Sequence, residues 1–246
     1  MNKTIYLRMD DVGASSKIYE QYSKKLRGLA NFYFLKRLPY FKAWGPYDEL
    51  SAVDWSSIGD ILVKYNAKIT VGVTATWVNK HGNLIPYNLM YPESYAVLYS
   101  LVEKNIVQIA CHGLTHCVLD RNCFLPRLFS SNRSSHREFW DWLPYSLHYE
   151  HLSKSKYLLE SIFNCSVDLL IPPGNVFSDK TIDAAHKLGF TSINCNTSIQ
   201  SPKINIFGNE NIHAFHDREV KIYGLSWFKN LIAAYHSDGY AFDIIS

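Results

Sequence analysis

Short apolar runs of strand length alternate with longer stretches whose apolar residues recur at helical spacing, from one end of the chain to the other. Residues 4–10 read as a strand and 50–65 as a helix, with Ser51 and Asp54 as candidate caps. Residues 68–74, KITVGVT, have the β-branched character of a buried strand; 92–104 open with Pro-Glu, a good helix start, and 106–111, IVQIAC, return as a strand. The second half repeats the rhythm. A helix is expected over 149–163, a strand over 167–171, and a helix over 178–188 that is capped by Ser or Asp and ended at Gly189. Strands over 190–194, 204–207 and 212–216 follow, and a last helix over 225–236.

Strands that alternate with helices call for a parallel sheet, because a parallel neighbour is reached only through a crossover. About seven strands in this arrangement predict an α/β fold with a closed or nearly closed (β/α) barrel, TIM-barrel-like, rather than an open doubly wound sheet. The 246 residues suffice for one large domain, expected over 1–246. Two stretches, 14–49 and 117–148, are long, aromatic and polar, and each follows an expected strand. Loops of that length are uncommon in compact domains unless they line a site, and these lie at the strand ends where barrel chemistry is placed.

Charge and composition exclude several functions. The net charge of +3 comes from scattered residues, with only short basic pairs such as Lys24-Lys25, so nucleic acid is not an expected partner. No uninterrupted apolar run reaches the ~18 residues of a membrane span. Only three residues precede the first expected strand, with no room for a signal peptide, and the expected location is the cytoplasm. The 5 cysteines form no CxxC pair, and Cys111, Cys165 and Cys195 sit in apolar segments, so buried free thiols are expected. Cys117, beside His116, reads as packing rather than as a ligand.

Chemistry enters with RMDDVG, residues 8–13. Two adjacent carboxylates, Asp10 and Asp11, end the first strand, and like charges so close need a cation or a hydrogen-bond network beside them. At the end of the third strand CHGLTH supplies His112 and His116, four apart. Two imidazoles and one carboxylate, with a position left open, form a facial set suited to Zn²⁺ or a similar divalent ion. Asp11 is the natural third ligand, because acid pair and His pair both end strands and converge on one rim.

RMDDVG, CHGLTH, LLIPPGN and HAFHD occur in the order and approximate separations of the motifs of the polysaccharide deacetylase family, carbohydrate esterase family 4, and the resemblance covers most of the chain. It implies a deformed (β/α) barrel and metal-dependent removal of an acetyl group from a sugar. It implies Asp10 as general base, Asp11, His112 and His116 as metal ligands, and His216 as general acid. A divalent ion that lowers the pKa of water from ~15.7 to ~7 suits this division of labour, as does an imidazolium that protonates the leaving amine. Backbone N–H groups at Gly174 and Asn175 are placed to share the oxyanion's charge. His213 competes with His216, but three apart on a strand they face opposite sides, and His216 lies nearer the strand's C-terminal end.

Two departures stand out. Ile171 occupies the place of an Arg that pairs with the catalytic Asp in the family, and Arg8, on the same strand face as Asp10, either substitutes for it or reaches solvent. The acid and Trp that the family places near the acid His have no match around 192–198. Trp44, Trp140 and Trp142, with Arg133 and His136, either contact sugar or anchor their own loops. The expected function is Zn²⁺-dependent deacetylation of an N-acetylated sugar in the assembly of a bacterial surface polysaccharide, O-antigen or capsule, with a carbohydrate substrate as partner. A metal amidohydrolase of a small non-glycan amide and a non-catalytic glycan-binding relative are the alternatives.

Overall fold

The computed structural model describes residues 3–20, 47–119, 123–124 and 132–245. Strand β1 (Lys3–Val12) and the short α1 (Ser16–Tyr19) come first; α2 (Ala52–Lys64) and β2 (Ile69–Val73) resume after the undescribed stretch. A small hairpin, β3 (Thr76–Val78) and β4 (Leu84–Pro86), leads through α3 (Tyr87–Met90) and α4 (Pro92–Glu103) to β5 (Val107–Cys111). The second half contains α5 (Tyr145–Phe163), β6 (Leu169–Leu170), α6 (Asp179–Lys187), β7 (Ser192–Asn194), β8 (Asn205–Phe207) and β9 (Ile212–His216). Helices α7 (Asp217–Tyr223) and α8 (Leu225–Ser237) and strand β10 (Tyr240–Asp243) close the chain.

Eight strands form one all-parallel sheet in the order β10-β1-β2-β5-β6-β7-β8, with β9 also laid along β1. Among the described residues no ladder joins β8 to β9, so the barrel is open along that seam. The expected deformed barrel is the observed architecture, and its seven expected strands are present. β10 is an addition, pairing with residues 3–6 of β1 below the stretch that β9 occupies.

The two-residue period of the strands sorts their side chains. Leu7 and Met9 of β1, Val71 and Val73 of β2 and Ile109 of β5 face outward, into one cluster with Ile58 and Leu62 of α2, Leu98 of α4, Leu159 of α5, and Phe228 and Ile232 of α8. Inside the barrel a smaller cluster, Ala110, Leu169, Ile171 and Ile245, packs with Tyr6, Phe207 and Ile212.

Local signals set the helix ends. Ser51 Oγ accepts from the Asp54 N–H at 3.2 Å while Asp54 Oδ2 accepts from the Ser51 N–H at 2.8 Å, a reciprocal cap that starts α2. Helix α5 begins at Tyr145, directly after Pro144 and four residues earlier than the sequence pattern suggests, and ends at Asn164 in the left-handed conformation (φ 49°). No helix among the described residues is long and apolar enough to cross a membrane. All five cysteines are free thiols, and every one but Cys165 is buried.

Candidate active site

Adjacent residues of a strand point to opposite faces, yet Asp10 and Asp11 both line one cleft. The ladder between β1 and β2 shifts register between Met9 and Val12, and Asp11 sits there with φ 70°. This bulge re-aims the second carboxylate without turning the first away.

Helix-like spacing is not what joins the two histidines. His112 directly follows β5, and the chain then turns through Gly113 (φ 81°) so that His116 (φ 56°) comes back beside it, ring centroids 5.0 Å apart. Buried Glu138 holds the turn: its carboxylate accepts from the N–H groups of Leu114 (3.0 Å), Thr115 (3.2 Å) and His116 (2.9 Å), and from His151 Nδ1 at 2.6 Å. A Cβ on Gly113 would lie 2.1 Å from Glu138 Oε2, so the close approach requires glycine.

Asp11 Oδ1 lies 3.2 Å from His112 Nε2 and 3.1 Å from His116 Nε2, and one ligand atom from each residue falls within 4.8 Å of the others. His112 Nδ1 is 2.7 Å from the Ile171 carbonyl, which can only accept, so that nitrogen carries the proton. In a neutral ring Nε2 then presents a lone pair to the Asp11 oxygen. Two acceptors facing each other call for a cation between them, and the donor set is one that divalent transition metals take. His116 agrees with this: both its ring nitrogens are buried without a hydrogen-bond partner among the described residues, and burial lowers its pKa in spite of Asp11, keeping the ring in the neutral, ligating form. Burial works against the charge of Asp11, but His216 and the two imidazoles beside it hold its carboxyl well below the usual range.

Asp10 is gripped from one side. Arg8 Nη2 donates to Asp10 Oδ2 at 2.8 Å, while Arg8 Nη1 donates to Asn194 Oδ1 and, at 3.1 Å, to Asn209 Oδ1. The guanidinium thus spans from β1 to the end of β7 across the open side of the barrel, and Ile171 joins the apolar interior instead. Asp10 Oδ1 is buried with no partner among the described residues.

His216 ends β9 and lines the cleft, whereas His213 faces outward and bonds Tyr235 Oη at 2.9 Å through Nδ1. Glu219, one turn into α7, accepts from the His216 N–H at 2.9 Å and lies 3.5 Å from its Nδ1. Burial opposes a charge on His216, but Asp11, Glu219 and Asp10 outweigh it and push the pKa up to about 9.

The cleft encloses about 300 Å³. Pro172, Gly174 and Asn175 form one wall, and Arg137 lies against it: a Cβ on Gly174 would fall 1.8 Å from Arg137 Nε. The Asn175 N–H donates to Pro172 O at 2.9 Å within the tight turn after the prolines. Its side-chain Oδ1 is buried without a partner among the described residues. On the opposite side a buried ammonium, Lys17, sits between Glu49 (2.5 Å) and Asp217, which also accepts from Tyr47 Oη at 2.8 Å. Burial raises Glu49 to about 7 despite Lys17. This cluster ties α1 to Asp217, the residue after His216.

Arg133 lines the cleft, whereas Trp140 Nε1 donates to Ser134 O at 2.7 Å and His136, fully buried, reaches Cys123 O at 3.1 Å; both anchor their own loop. Trp142 is 68% exposed. Trp44 and residues 21–46 lie outside the described residues. Sequence reasoning missed Glu138, Glu219, Arg137, Arg218 and Lys17. Only Glu219 left a local signal, the capping spacing His216-x-x-Glu219.

A polysaccharide deacetylase family model matches residues 45–193, more than half of the chain. A comparison with curated proteins found no match. Among solved structures, a family 4 carbohydrate esterase from Streptomyces lividans in complex with acetate aligns with TM-score 0.52 and 9% identity over 100% of this chain and 94% of its own. The family 4 domain of a multidomain xylanase from the hindgut metagenome of Trinervitermes trinervoides gives TM-score 0.54 and 12% identity, covering 100% of this chain and 88% of that one. A family 4 pseudoenzyme from Bacillus anthracis gives TM-score 0.54 and 15% identity over 99% of this chain, which spans less than two thirds, 64%, of that protein. At these identities the solved structures speak for the fold, and the matching family model gives the conclusion: the chain belongs to the polysaccharide deacetylase family.

Proposed function

We propose that this protein is a metal-dependent deacetylase that removes the acetyl group from an N-acetylated sugar. The observation that carries the reading is the meeting of Asp11, His112 and His116 within 4.8 Å, beside an Asp10 with one partnered and one free oxygen. Asp11 Oδ1, His112 Nε2 and one ring nitrogen of His116 would hold a divalent ion, proposed as Zn²⁺, which supplies Lewis-acid polarisation of the acyl oxygen when bound.

The chain's own residues do the rest. Asp10 Oδ1 takes the proton of the attacking water as the water oxygen bonds to the acyl carbon, and Arg8 keeps the carboxylate oriented. The Gly174 N–H faces the developing oxyanion. His216, held in its charged form by the acids around it, gives a proton from Nε2 to the amine nitrogen as the C–N bond breaks, while Glu219, 3.5 Å from Nδ1, stabilises the charge from the other side of the ring. Arg8 supplies the counter-ion that Ile171 does not, which favours an enzyme over a pseudoenzyme. Assembly of a bacterial surface polysaccharide, O-antigen or capsule, in the cytoplasm is the proposed setting.

Metal content and acetate release from N-acetylglucosamine oligomers test the reading. About one metal per chain is expected, lost in His112→Ala. Asp10→Asn should keep the metal and lower kcat by about 10²–10⁴-fold. Sugar binding without turnover in the wild type would replace this reading with a glycan-binding one, and turnover of small amides alone would indicate a different amidohydrolase.

A further inference from the structure

Beyond the proposed metal ligands and acid–base pair, the cleft is lined by guanidinium groups. Arg133 comes from a 3-10 turn (Arg133–His136), Arg137 from the segment after it, and Arg218 from α7. The partners of Arg137 and Arg218 leave donors over. Glu20 is one carboxylate between two arginines, 3.3 Å from Arg133 Nε and 3.5 Å from Arg137 Nη1. Arg137 Nη1 also donates to His136 O at 2.6 Å, while its Nε and Nη2 have no partner among the described residues. Arg218 spends Nη2 on Glu219 at 3.1 Å, and its Nε and Nη1 are likewise unpartnered among the described residues.

A neutral glycan hydroxyl both donates and accepts, whereas arginine only donates. Neutral sugar rings also favour aromatic platforms, and among the described lining residues the one aromatic ring other than histidine is Tyr47, whose hydroxyl is engaged by Asp217. A wall of arginines on separate elements suits an anion with oxygens pointing in several directions. A planar carboxylate is satisfied by one fork; a tetrahedral phosphoryl group takes several.

We infer that the substrate is an N-acylated sugar carrying a phosphoryl group, held between Arg137 and Arg218 beside the Asp11–His112–His116 triad. The inference rests on the deacetylase reading for the acyl sugar, and on the arginines alone for the anion. Phosphomonoester, nucleotide and lipid-linked sugars share that chemistry.

Calorimetric titration of the intact protein with N-acetylglucosamine and N-acetylglucosamine 1-phosphate reads it directly. The phosphorylated sugar should bind about 10-fold or more tightly than the neutral one, and the preference should shrink with added salt. Arg137→Met and Arg218→Gln should each cut the preference several-fold, and Arg137→Lys, which keeps charge but loses the fork, should fall between. UDP-N-acetylglucosamine and a short-chain prenyl-diphosphate N-acetylglucosamine serve as further probes; a gain with either upholds the inference and names the source. Equal affinity of the wild type for neutral and phosphorylated sugar would overturn it, as would a preference that survives both charge-removing variants. Phosphate preference without acetate release from any probe would remove the deacetylase reading and leave the anion site. Equal affinity with acetate release from both sugars would do the reverse.

Discussion

Deep in the barrel the inward positions of the strands are Tyr6, Ala110, Leu169 and Ile212, which pack as an apolar floor with Ile171 and Ile245. Two or four residues further along the same strands, the inward positions are Arg8, Asp10, His112 and His216. The floor is held by contact and needs no partner atom by atom. The rim works differently: each buried charge needs a specific counterpart, because an unpaired ion in a low-dielectric interior is costly. Arg8 with Asp10, Glu138 with His151, and Lys17 with Glu49 and Asp217 are those counterparts. Ile171 belongs to both regions: its side chain fills the floor while its carbonyl orients His112.

The contrast is tested most severely at Glu138. Glu138→Gln replaces an acceptor of four hydrogen bonds by a group that also donates, and should cost about 3–5 kcal/mol of stability in denaturant unfolding. Because the same carboxylate shapes the turn that carries His116, metal affinity should fall about 10–100-fold in the folded fraction. A variant with unchanged metal content would detach Glu138 from the site.

Leu169→Ala probes the floor. Deleting this buried side chain should cost about 2–5 kcal/mol, read by the same unfolding experiment. Metal content and kcat of the folded fraction should stay unchanged, which sharpens the distinction between a region that only packs and one that also positions ligands.

The smallest effect is in pH dependence. Burial opposes the charge of Glu138, but His151 and the amides lower its pKa below the ordinary 4.5; burial opposes the charge of His151, but Glu138 raises its pKa above 6.5. The depressed carboxylate contributes stability above about pH 4.5 that is lost as pH falls through its folded value. The raised imidazole contributes stability below about pH 6.5 that is lost as pH rises through its folded value. The pair therefore stabilises most between those limits. His151→Gln should abolish the decline on the alkaline side, a change on the order of 1 kcal/mol in unfolding free energy measured against pH.

Much of the fold was legible in the chain. Helices α2, α4 and α8 match their expected spans to within two residues at each end, because amphipathic spacing, Ser51 with Asp54, and Pro92 are local signals. The hairpin β3–β4, α7 and β10 were not read, since three- to seven-residue elements are too short for a periodic pattern to declare itself. In the candidate site, the Asp10–Asp11 pair, His112 and His116 stood out by residue type and by their position at strand ends, whereas His216 entered through the family resemblance. That the Asn175 amide donates within its own turn does not show in a Pro-Pro-Gly-Asn string.

The order of strands and helices and the candidate metal ligands can be read along the chain, since both rest on neighbours within one or two turns. Which of those groups meet is settled by long-range packing. That Arg8 rather than residue 171 partners Asp10, that Glu138 and His151 hold the histidine turn, and that Arg137 lies over Gly174 beside the cleft all depend on contacts between elements distant in sequence. Such pairings are set by sheet order and barrel curvature, through which a carboxylate finds its counter-ion by position in space.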